Sequence, residues 1–266
     1  MKISVIRGQK KLNNMIRIYF YTAILTVAMM SYGVGVHAQT TEPRVFGDEE
    51  GIFVVVNQKA HFYEIDWDKD SWVANPGNDF TLPTGYRSVY GYHDVICVVI
   101  NNKIQRYKFN GASWAVDAQF PEFTLPDGYG SVFGSKRSIG GICVIVNNKI
   151  QIYGYNGRIW GTDPITDFTL PNDYKSVFGG SDGIGVAVGN KAQFYEFKSA
   201  TGWTADSRYD LTLPDGYVSV FGTKNPFNRW ESVFVVMNDR VLYYSFDRDN
   251  NKWEKDSDWV FMLPKN

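Results

Sequence analysis

Residues Phe123–Gly134 read FTLPDGYGSVFG, and close copies of this stretch recur along the chain. The copies are FTLPTGYRSVYG at Phe80–Gly91, FTLPNDYKSVFG at Phe168–Gly179 and LTLPDGYVSVFG at Leu211–Gly222. The two halves of the motif also stand alone, as RVFG at Arg44–Gly47 and as FMLP at Phe261–Pro264. Five units therefore fit the chain, each cut between the proline and the turn that follows it.

The central valine of the SVFG tetrapeptide recurs at intervals of 43 to 45 residues. A fixed period between about 20 and 50 residues is typical of solenoids, propellers and arrays. We expect residues 39–266 to form one domain of five units, with approximate ranges 44–83, 84–126, 127–171, 172–214 and 215–264.

Each unit is predicted to contain four short strands, a to d. Strand a is the SVFG segment, introduced by a turn such as Pro126-Asp127-Gly128. Strand b is a continuous apolar run, which indicates burial on both faces. The runs are Ile52–Val56, Ile96–Ile100, Ile142–Val146, Ile184–Val188 and Val233–Met237. An Asn-rich or Gly-containing pair follows each run, and such pairs favour two-residue hairpins with positive φ.

The outer two strands carry one aromatic residue each at a fixed place. Strand c has a tyrosine in every unit, at Tyr63, Tyr107, Tyr153, Tyr195 and Tyr244. Strand d has a tryptophan in every unit, at Trp72, Trp114, Trp160, Trp203 and Trp253. No stretch with a helical period occurs between Thr40 and Asn266. Short strands with regular turns predict an all-β fold, and five units of four strands predict a five-bladed β-propeller. An open β-repeat array or solenoid is the alternative, but it would usually have atypical terminal repeats.

The first 38 residues have the layout of a secretory signal. They hold five cations and no acidic residue, then an apolar run from Ile18 to about Met30, and they end on Val36-His37-Ala38. The apolar run is short for a membrane helix, which needs about 20 residues. We expect cleavage after Ala38 and a secreted or periplasmic protein, with Met1 or Met15 as the start.

The net charge of the chain after signal removal indicates which class of partner to exclude. The five cations of the signal, taken from 27 basic against 28 acidic residues, leave a net charge of about −6. Nucleic-acid binding would require a basic patch, so we expect no such partner.

Two known families resemble these units. The run VVINNKIQRYKFNGASW, residues 98–114, resembles hemopexin-type repeats, in which an aromatic strand is followed by Trp or Tyr. Hemopexin-type domains normally have four blades closed by a disulfide, whereas this chain has five units. Five near-identical units are also similar to tachylectin-type propeller lectins, and that resemblance implies sugar binding in each repeat. No binding residue is carried over from either family.

The candidate ligand-binding residues are chiefly aromatic. The five strand d tryptophans could each offer a ring face to the apolar face of a pyranose, or they could fill the space between blades. Trp67, Trp230 and Trp259 break the repeat, so we expect them and the loops Asp66–Ser71 and Thr223–Glu231 to make exposed contacts.

Two further sets of side chains repeat on strand c. Gln105, Gln151 and Gln193 match one another, with His61 and Leu242 at the same place in the other units. Their amides could bind glycan hydroxyls or could bond backbone groups between blades. A ring of cations, Lys59, Lys103, Lys149, Lys191 and Arg240, could attract anionic ligands or could be solvated.

The sequence indicates neither a catalytic centre nor a cofactor. Only His61 and His93 remain after signal removal, and they occupy different unit positions, so no metal-ligand spacing is present. The acidic residues are scattered and do not suggest the carboxylate pair of a glycosidase. Cys97 and Cys143 occupy the same place in neighbouring units and are expected to be buried free thiols.

These patterns favour a secreted, non-catalytic binding module, with glycan as the leading ligand. A protein-interaction or adhesion scaffold on the cell surface or in the periplasm is the alternative. A glycoside hydrolase with an unrecognised site is the third. The sequence leaves the ligand, the number of sites and the oligomeric state open.

Overall fold

The computed structural model describes residues 44–66, 68–69, 71–134, 141–162, 166–180, 183–224 and 230–264. These residues belong to one compact unit of the chain. The predicted signal segment 1–38 and the candidate Trp67 lie outside the described residues. In the described ranges, no helix is both long and apolar enough to cross a bilayer.

The first three units each form an antiparallel sheet from one continuous stretch of chain. Blade 1 consists of β1 (Arg44–Asp48), β2 (Gly51–Val56), β3 (Lys59–Asp66), β4 (Ser71–Ala74) and β5 (Phe80–Thr81). Blade 2 consists of β6 (Tyr86–Tyr92), β7 (Val95–Ile100), β8 (Lys103–Phe109), β9 (Trp114–Val116) and β10 (Phe123–Thr124). Blade 3 consists of β11 (Tyr129–Phe133), β12 (Ile142–Val146), β13 (Lys149–Tyr155), β14 (Trp160–Thr162) and β15 (Phe168–Thr169).

The last two units follow the same order. Blade 4 consists of β16 (Tyr174–Gly180), β17 (Gly183–Val188), β18 (Lys191–Lys198), β19 (Gly202–Ala205) and β20 (Leu211–Thr212). Blade 5 consists of β21 (Ser219–Lys224), β22 (Trp230–Val236), β23 (Arg240–Asp247) and β24 (Lys252–Met262). Helical structure in the described residues is limited to short 3₁₀ turns, such as Pro76–Asn78 and Ser207–Tyr209.

The blades close into a ring. The first strands of the five blades contact one another in the cyclic order β1, β6, β11, β16, β21 and back to β1. Strand a is therefore innermost, and strand d lies at the periphery of each blade. The prediction of a five-bladed β-propeller is confirmed, and the open repeat array is not observed.

The second strand of each blade is buried on both faces, as its unbroken apolar sequence predicts. The hairpins that follow in blades 1 to 4 adopt positive φ at their first turn residue, with 57° at Asn57, 58° at Asn101, 48° at Asn147 and 58° at Gly189, whereas Asn238 of blade 5 has no positive φ. The asparagines with positive φ therefore serve the turn geometry.

The Phe-Thr dipeptide of the repeated motif belongs to the outer edge of its own blade. In blade 2, Phe123 pairs with Ile104 and Thr124 pairs with Lys103 of strand c. The outer strand of blades 1 to 4 thus comes in two short pieces, and in blade 5 the pairing of β24 with β23 is interrupted at the same place, between Asp256 and Phe261. The peripheral edge is therefore built alike in all five blades.

Both cysteines are free and buried, as expected. They replace a phenylalanine that packs on strand a in blades 1 and 5, because Phe53 and Phe234 occupy the matching register. Burial raises the pKa of the Cys97 thiol to about 11. The thiol is therefore protonated near neutral pH and packs as a small apolar group.

Candidate functional site

Each blade inserts an aromatic side chain into the next. The Phe123 ring of blade 2 lies with its centroid 4.7 Å from Tyr153 and 5.0 Å from Trp160 of blade 3. The same trio recurs as Phe80 with Tyr107 and Trp114, Phe168 with Tyr195 and Trp203, and Phe261 with Tyr63 and Trp72. In blade 4 Leu211 takes the place of the phenylalanine and packs in one cluster with Tyr244 and Trp253. The repeated motif is thus the joint between neighbouring blades.

A hydrogen bond accompanies each of these contacts. The indole N–H of each strand d tryptophan donates to a backbone carbonyl of the preceding blade. This carbonyl belongs to the residue two positions before the Phe or Leu that begins the repeated motif. The pairs are Trp72 to Trp259 (3.4 Å), Trp114 to Asn78 (3.0 Å), Trp160 to Pro121 (3.3 Å), Trp203 to Thr166 (2.7 Å) and Trp253 to Tyr209 (2.6 Å). This arrangement supports the packing interpretation of the five tryptophans. Because each remains partly exposed, binding through a free ring face stays a prediction.

The junction of blades 5 and 1 differs from the others. At the other four junctions the chain passes directly from one blade into the next, but blades 5 and 1 are joined through side chains. Its indole bond, from Trp72 Nε1 to Trp259 O, is the longest of the five at 3.4 Å. The two indole rings meet edge to face, with centroids 6.4 Å apart. We call this junction the seam.

A cavity of about 360 Å³ opens at the seam. Blade 1 contributes one wall and the outer strand of blade 5 the other. The lining residues are Tyr63, Ser71, Trp72, Ala74, Asp258, Val260, Phe261 and Met262. Three aromatic rings, those of Tyr63, Trp72 and Phe261, therefore lie in one cavity with the Ser71 hydroxyl and the Asp258 carboxylate. We call it the seam cavity.

The polar groups of the seam cavity can accept or donate hydrogen bonds. Burial, and after it the negative charge of Asp79, raises the pKa of Tyr63, so its phenol stays protonated near neutral pH. Asp258 is exposed, and its Oδ1 accepts a hydrogen bond of 3.3 Å from the Ser257 hydroxyl. Its own N–H donates to Asp256 Oδ1 at 3.0 Å, which fixes the local backbone.

The repeated glutamines bond a neighbour on their own strand. In blades 2, 3 and 4 the tyrosine hydroxyl donates to the glutamine Oε1 two residues earlier. The pairs are Tyr107 with Gln105 (2.7 Å), Tyr153 with Gln151 (2.9 Å) and Tyr195 with Gln193 (3.0 Å). The alternative that these amides bond the backbone between blades is not observed in the described residues. In blade 1, His61 Nδ1 lies 3.0 Å from Asp79 Oδ2 instead.

Four of the five cations in the ring form ion pairs with carboxylates in the described residues. The residue before the Phe or Leu of the repeated motif is acidic in blades 1 to 4, and it lies beside strand c. The resulting ion pairs are Lys59 with Asp79 (2.9 Å), Lys103 with Glu122 (2.5 Å) and Lys191 with Asp210 (2.6 Å), and in blade 5 Arg240 pairs with Asp239 (2.7 Å). These carboxylate partners were not predicted, although an acidic residue precedes the repeated motif in blades 1 to 4. Cations neutralised in this way are a poor site for anions.

Two of the non-repeating tryptophans are buried, so the expectation that they make exposed contacts is wrong. Trp230 is 0% exposed, and its ring centroid lies 4.7 Å from Phe194 and 5.6 Å from Phe178 of blade 4. A Cβ at Gly179 would lie 3.0 Å from the Trp230 ring, so the ring packs closely against that glycine. Trp259 is 7% exposed and packs against Trp72 at the seam.

A histidine links the first two blades on the face that carries the a–b turns. His93 Nδ1 lies 2.7 Å from Glu50 Oε2 and 3.5 Å from Oδ2 of the fully buried Asp48. The sequence did not predict this cluster, because His93 and Asp48 lie in different units. Within the described part of the chain, no set of three His, Cys, Asp or Glu residues is arranged to hold a metal ion.

Comparisons with known proteins add little. No family model matches the chain, and no curated protein is similar to it. A functionally unknown protein from Desulfotomaculum acetoxidans is 11% identical, with 84% of this chain and 71% of that chain covered and a TM-score of 0.40. Hsv2 from Kluyveromyces lactis is 9% identical, with 84% and 97% covered and a TM-score of 0.41. Likenesses this distant say nothing about function, and neither family resemblance from the sequence gains support.

Proposed function

We propose that this chain is a non-catalytic binding module whose ligand is a carbohydrate, and that the seam cavity is its binding site. The observation that carries the proposal is the composition of that cavity, in which Trp72 and Tyr63 lie beside Ser71 and Asp258. A pyranose has an apolar face of C–H groups and a rim of hydroxyls. Aromatic rings cover the first, and hydroxyl and carboxylate groups bond the second.

The charge pattern of the seam cavity favours binding over hydrolysis. Glycosidases use two carboxyl groups, about 5 to 9.5 Å apart, on either side of the scissile bond. Among the described residues that line the cavity, Asp258 is the one carboxylate. A bound sugar would therefore lack an acid–nucleophile pair. No role for a metal or cofactor is part of this proposal.

The proposed location follows from the N-terminal sequence. A basic segment, an apolar run and the small residues before Ala38 are typical of a secretory signal. We therefore place the mature protein in the periplasm or outside the cell, where glycans of cell surfaces are accessible.

A glycan array probed with the chain lacking residues 1–38 tests the proposal. We expect selective binding by the parent chain, and Asp258→Ala should weaken it about three- to tenfold through loss of one hydrogen bond. Asp127→Asn, on an exposed turn away from the seam, is the matched control and should bind as the parent does. Trp72 is unsuitable for this test because its indole also joins the two blades.

Two results of the array would reject the proposed site or the proposed ligand. If Asp258→Ala binds as tightly as the parent chain, the site lies elsewhere. If no glycan binds to the parent chain, carbohydrate is not the ligand.

A protein-interaction scaffold is the second candidate, and one observation favours it. The outer strand of blade 5, β24, pairs with β23 over Lys252–Asp256, a longer stretch than the three residues of β9 or β14. A long edge strand can pair with an extended segment of a partner. Recovery of a stable protein partner by pull-down, with no glycan bound on the array, would favour this function.

A further inference from the structure

We infer that the seam cavity selects ligands that carry an ammonium group, so that amino sugars bind in preference to neutral sugars and sugar acids are disfavoured. The inference rests on the proposed function and names the class of sugar that the site takes. It is carried by the charge of Asp258 and by the aromatic walls of the cavity.

Asp258 brings a negative charge to the seam cavity, and no counter-ion for it is found among the described residues. Its side chain is exposed, and in the described residues its carboxylate bonds only the hydroxyl of Ser257. The other lining residues are neutral. A ligand ammonium could therefore donate a charge-assisted hydrogen bond to this carboxylate, which is stronger than a bond between neutral groups. A ligand carboxylate or sulfate would meet repulsion.

Two of the cations that lie near the cavity walls in sequence pair with a carboxylate. Lys69, two residues before Ser71, pairs with Asp66 at 2.5 Å. At the other wall, Lys252 of β24 pairs with Glu254 at 2.8 Å. Lys255, three residues before Asp258, is exposed, so the inference rests on Asp258 and on the aromatic walls.

Acidic residues also lie near Tyr243, on the buried side of the seam. Burial, and after it the charges of Glu49, Asp256 and Glu231, raises the pKa of Tyr243 to about 12. The Tyr243 ring centroid lies 6.4 Å from that of Trp259, which in turn packs on Trp72 of the cavity. Glu231 pairs with Arg248, so the selectivity of the cavity rests on Asp258 and not on this side of the seam.

The aromatic walls act in the same direction. The negative face of a Trp or Tyr ring attracts a cation placed within about 6 Å of the ring centroid. Trp72 and Tyr63 both line the cavity. An ammonium group between these rings and Asp258 would gain from both kinds of attraction.

Titration with three monosaccharides, followed by ligand-observed NMR, tests the inference. The probes are glucosamine, glucose and glucuronate, at a pH where the amine is protonated. We expect glucosamine to bind about two- to fivefold more tightly than glucose, as for a solvent-exposed charge pair, and glucuronate to bind most weakly. High salt should reduce the difference because it screens exposed charges.

A pair of variants separates charge from shape. Asp258→Asn keeps a hydrogen-bond acceptor of the same size and removes the charge, so the preference for glucosamine over glucose should shrink. Asp127→Asn removes one charge from a distant exposed turn and should keep the preference of the parent chain.

The possible outcomes are distinguishable. Sugars that bind in the cavity with glucuronate as tight as glucosamine, or with an unchanged preference in Asp258→Asn, overturn the inference and leave carbohydrate binding intact. Absence of binding by all three probes, together with a blank glycan array, overturns the proposed function and the inference with it.

Discussion

The indole N–H of each strand d tryptophan has a structural task that limits what its ring can do for a ligand. Each one donates to a carbonyl of the preceding blade, at a place fixed relative to the repeated motif. A buried carbonyl that loses its donor costs free energy, because water does not replace the bond fully. The N–H edge of the indole ring is therefore bonded to the preceding blade, and only the partly exposed face of the ring is available to contact a ligand.

Replacing an indole by a phenyl ring should reveal the strength of this bond. Trp203→Phe removes a donor at 2.7 Å from Thr166 O, whereas Trp72→Phe removes one at 3.4 Å from Trp259 O. The loss of ring volume is the same in both variants, so their difference reports the hydrogen bond. We expect Trp203→Phe to lower the free energy of unfolding by about 0.5–1 kcal/mol more than Trp72→Phe, measured by urea denaturation. Equal losses of free energy in the two variants would show that the shorter bond of Trp203 stabilises the protein no more than the longer bond of Trp72.

A glycine in blade 4 provides a second test of local packing. A Cβ at Gly185 would lie 2.2 Å from the Phe178 ring, whereas a Cβ at the exposed Gly154 would meet nothing within 4 Å. Gly185→Ala should therefore destabilise the protein by about 1–3 kcal/mol, the usual cost of overpacking a core. Gly154→Ala is the matched control and should be neutral or slightly stabilising in the same thermal or urea unfolding experiment. A neutral Gly185→Ala would mean that the Phe178–Trp230 contact is loose.

At the scale of the element, one blade is held together at its edge by strand c and the acid before the repeated motif. In blade 1, Asp79 accepts hydrogen bonds from Phe62 N (2.9 Å) and contacts Lys59 and His61. Burial alone would raise the pKa of Asp79, but the bonds from Phe62, Lys59 and His61 outweigh it and lower the pKa below its usual value. The ionised carboxylate therefore stabilises this edge.

The sign of the pH dependence follows from that lowered pKa. The contribution of Asp79 is complete above the pKa of an unfolded aspartate, about 3.9, and is lost as the pH falls through the lower folded value. The difference in melting temperature between the parent chain and Asp79→Asn should thus be largest near neutral pH and should shrink below about pH 4. Calorimetry across that range measures it, with Asp127→Asn as the control that should show no such trend. A difference that grows toward acid pH would contradict the assignment.

Most of each blade could be predicted from the sequence, because the same pattern of strands and turns occurs in all five units. The apolar strands, the Asn turns and the lack of long helices follow from periodicity and turn chemistry. The pairing of Phe123 with Ile104 could not be predicted, since two residues carry no periodicity. The burial of Trp230 and Trp259 was also missed, because a residue that breaks a repeat can be a packing adjustment as well as a surface feature.

At the scale of the whole molecule, the ring closes by packing. Blade 1 takes all its described strands from residues 44–81 and blade 5 from residues 219–262, so no described strand is exchanged between them. Phe261 packs on Tyr63 and Trp72 as its counterparts do at the other joints. The seam is thus a fifth copy of the same joint without a covalent connection.

A circular permutant tests this equivalence. The copied linker Asp-Gly-Tyr-Gly, taken from residues 127–130, would join Pro264 to Arg44, and the new ends would lie between Pro126 and Asp127. Because this exchanges one connection for an identical one, we expect a free energy of unfolding within about 1 kcal/mol of the parent chain. A permutant opened between Val144 and Ile145, inside the buried β12, should fail to fold. Failure of the first permutant would contradict the equivalence of the five joints.

The candidate site is the part of the molecule that sequence alone could not locate. Trp72 was visible as a candidate, but Asp258 had no distinguishing feature in the chain. The two meet in one cavity only because ring closure brings residues nearly 190 positions apart together, as the bond from Trp72 to Trp259 shows. Repetition predicts what the blades share, whereas this cavity combines residues of the first and last blades that no single unit contains.

The most direct test of the central claim is fluorine NMR of the chain labelled with 5-fluorotryptophan and titrated with a glycan that the array selects. Because Trp72 lines the seam cavity, its signal should shift in a saturable manner, while the signals of its counterparts Trp114, Trp160 and Trp203 stay in place. Equal shifts of all these signals would indicate repeated sites in the blades. No shift of Trp72 at saturation would show that the glycan binds away from the seam, and either result would contradict the account.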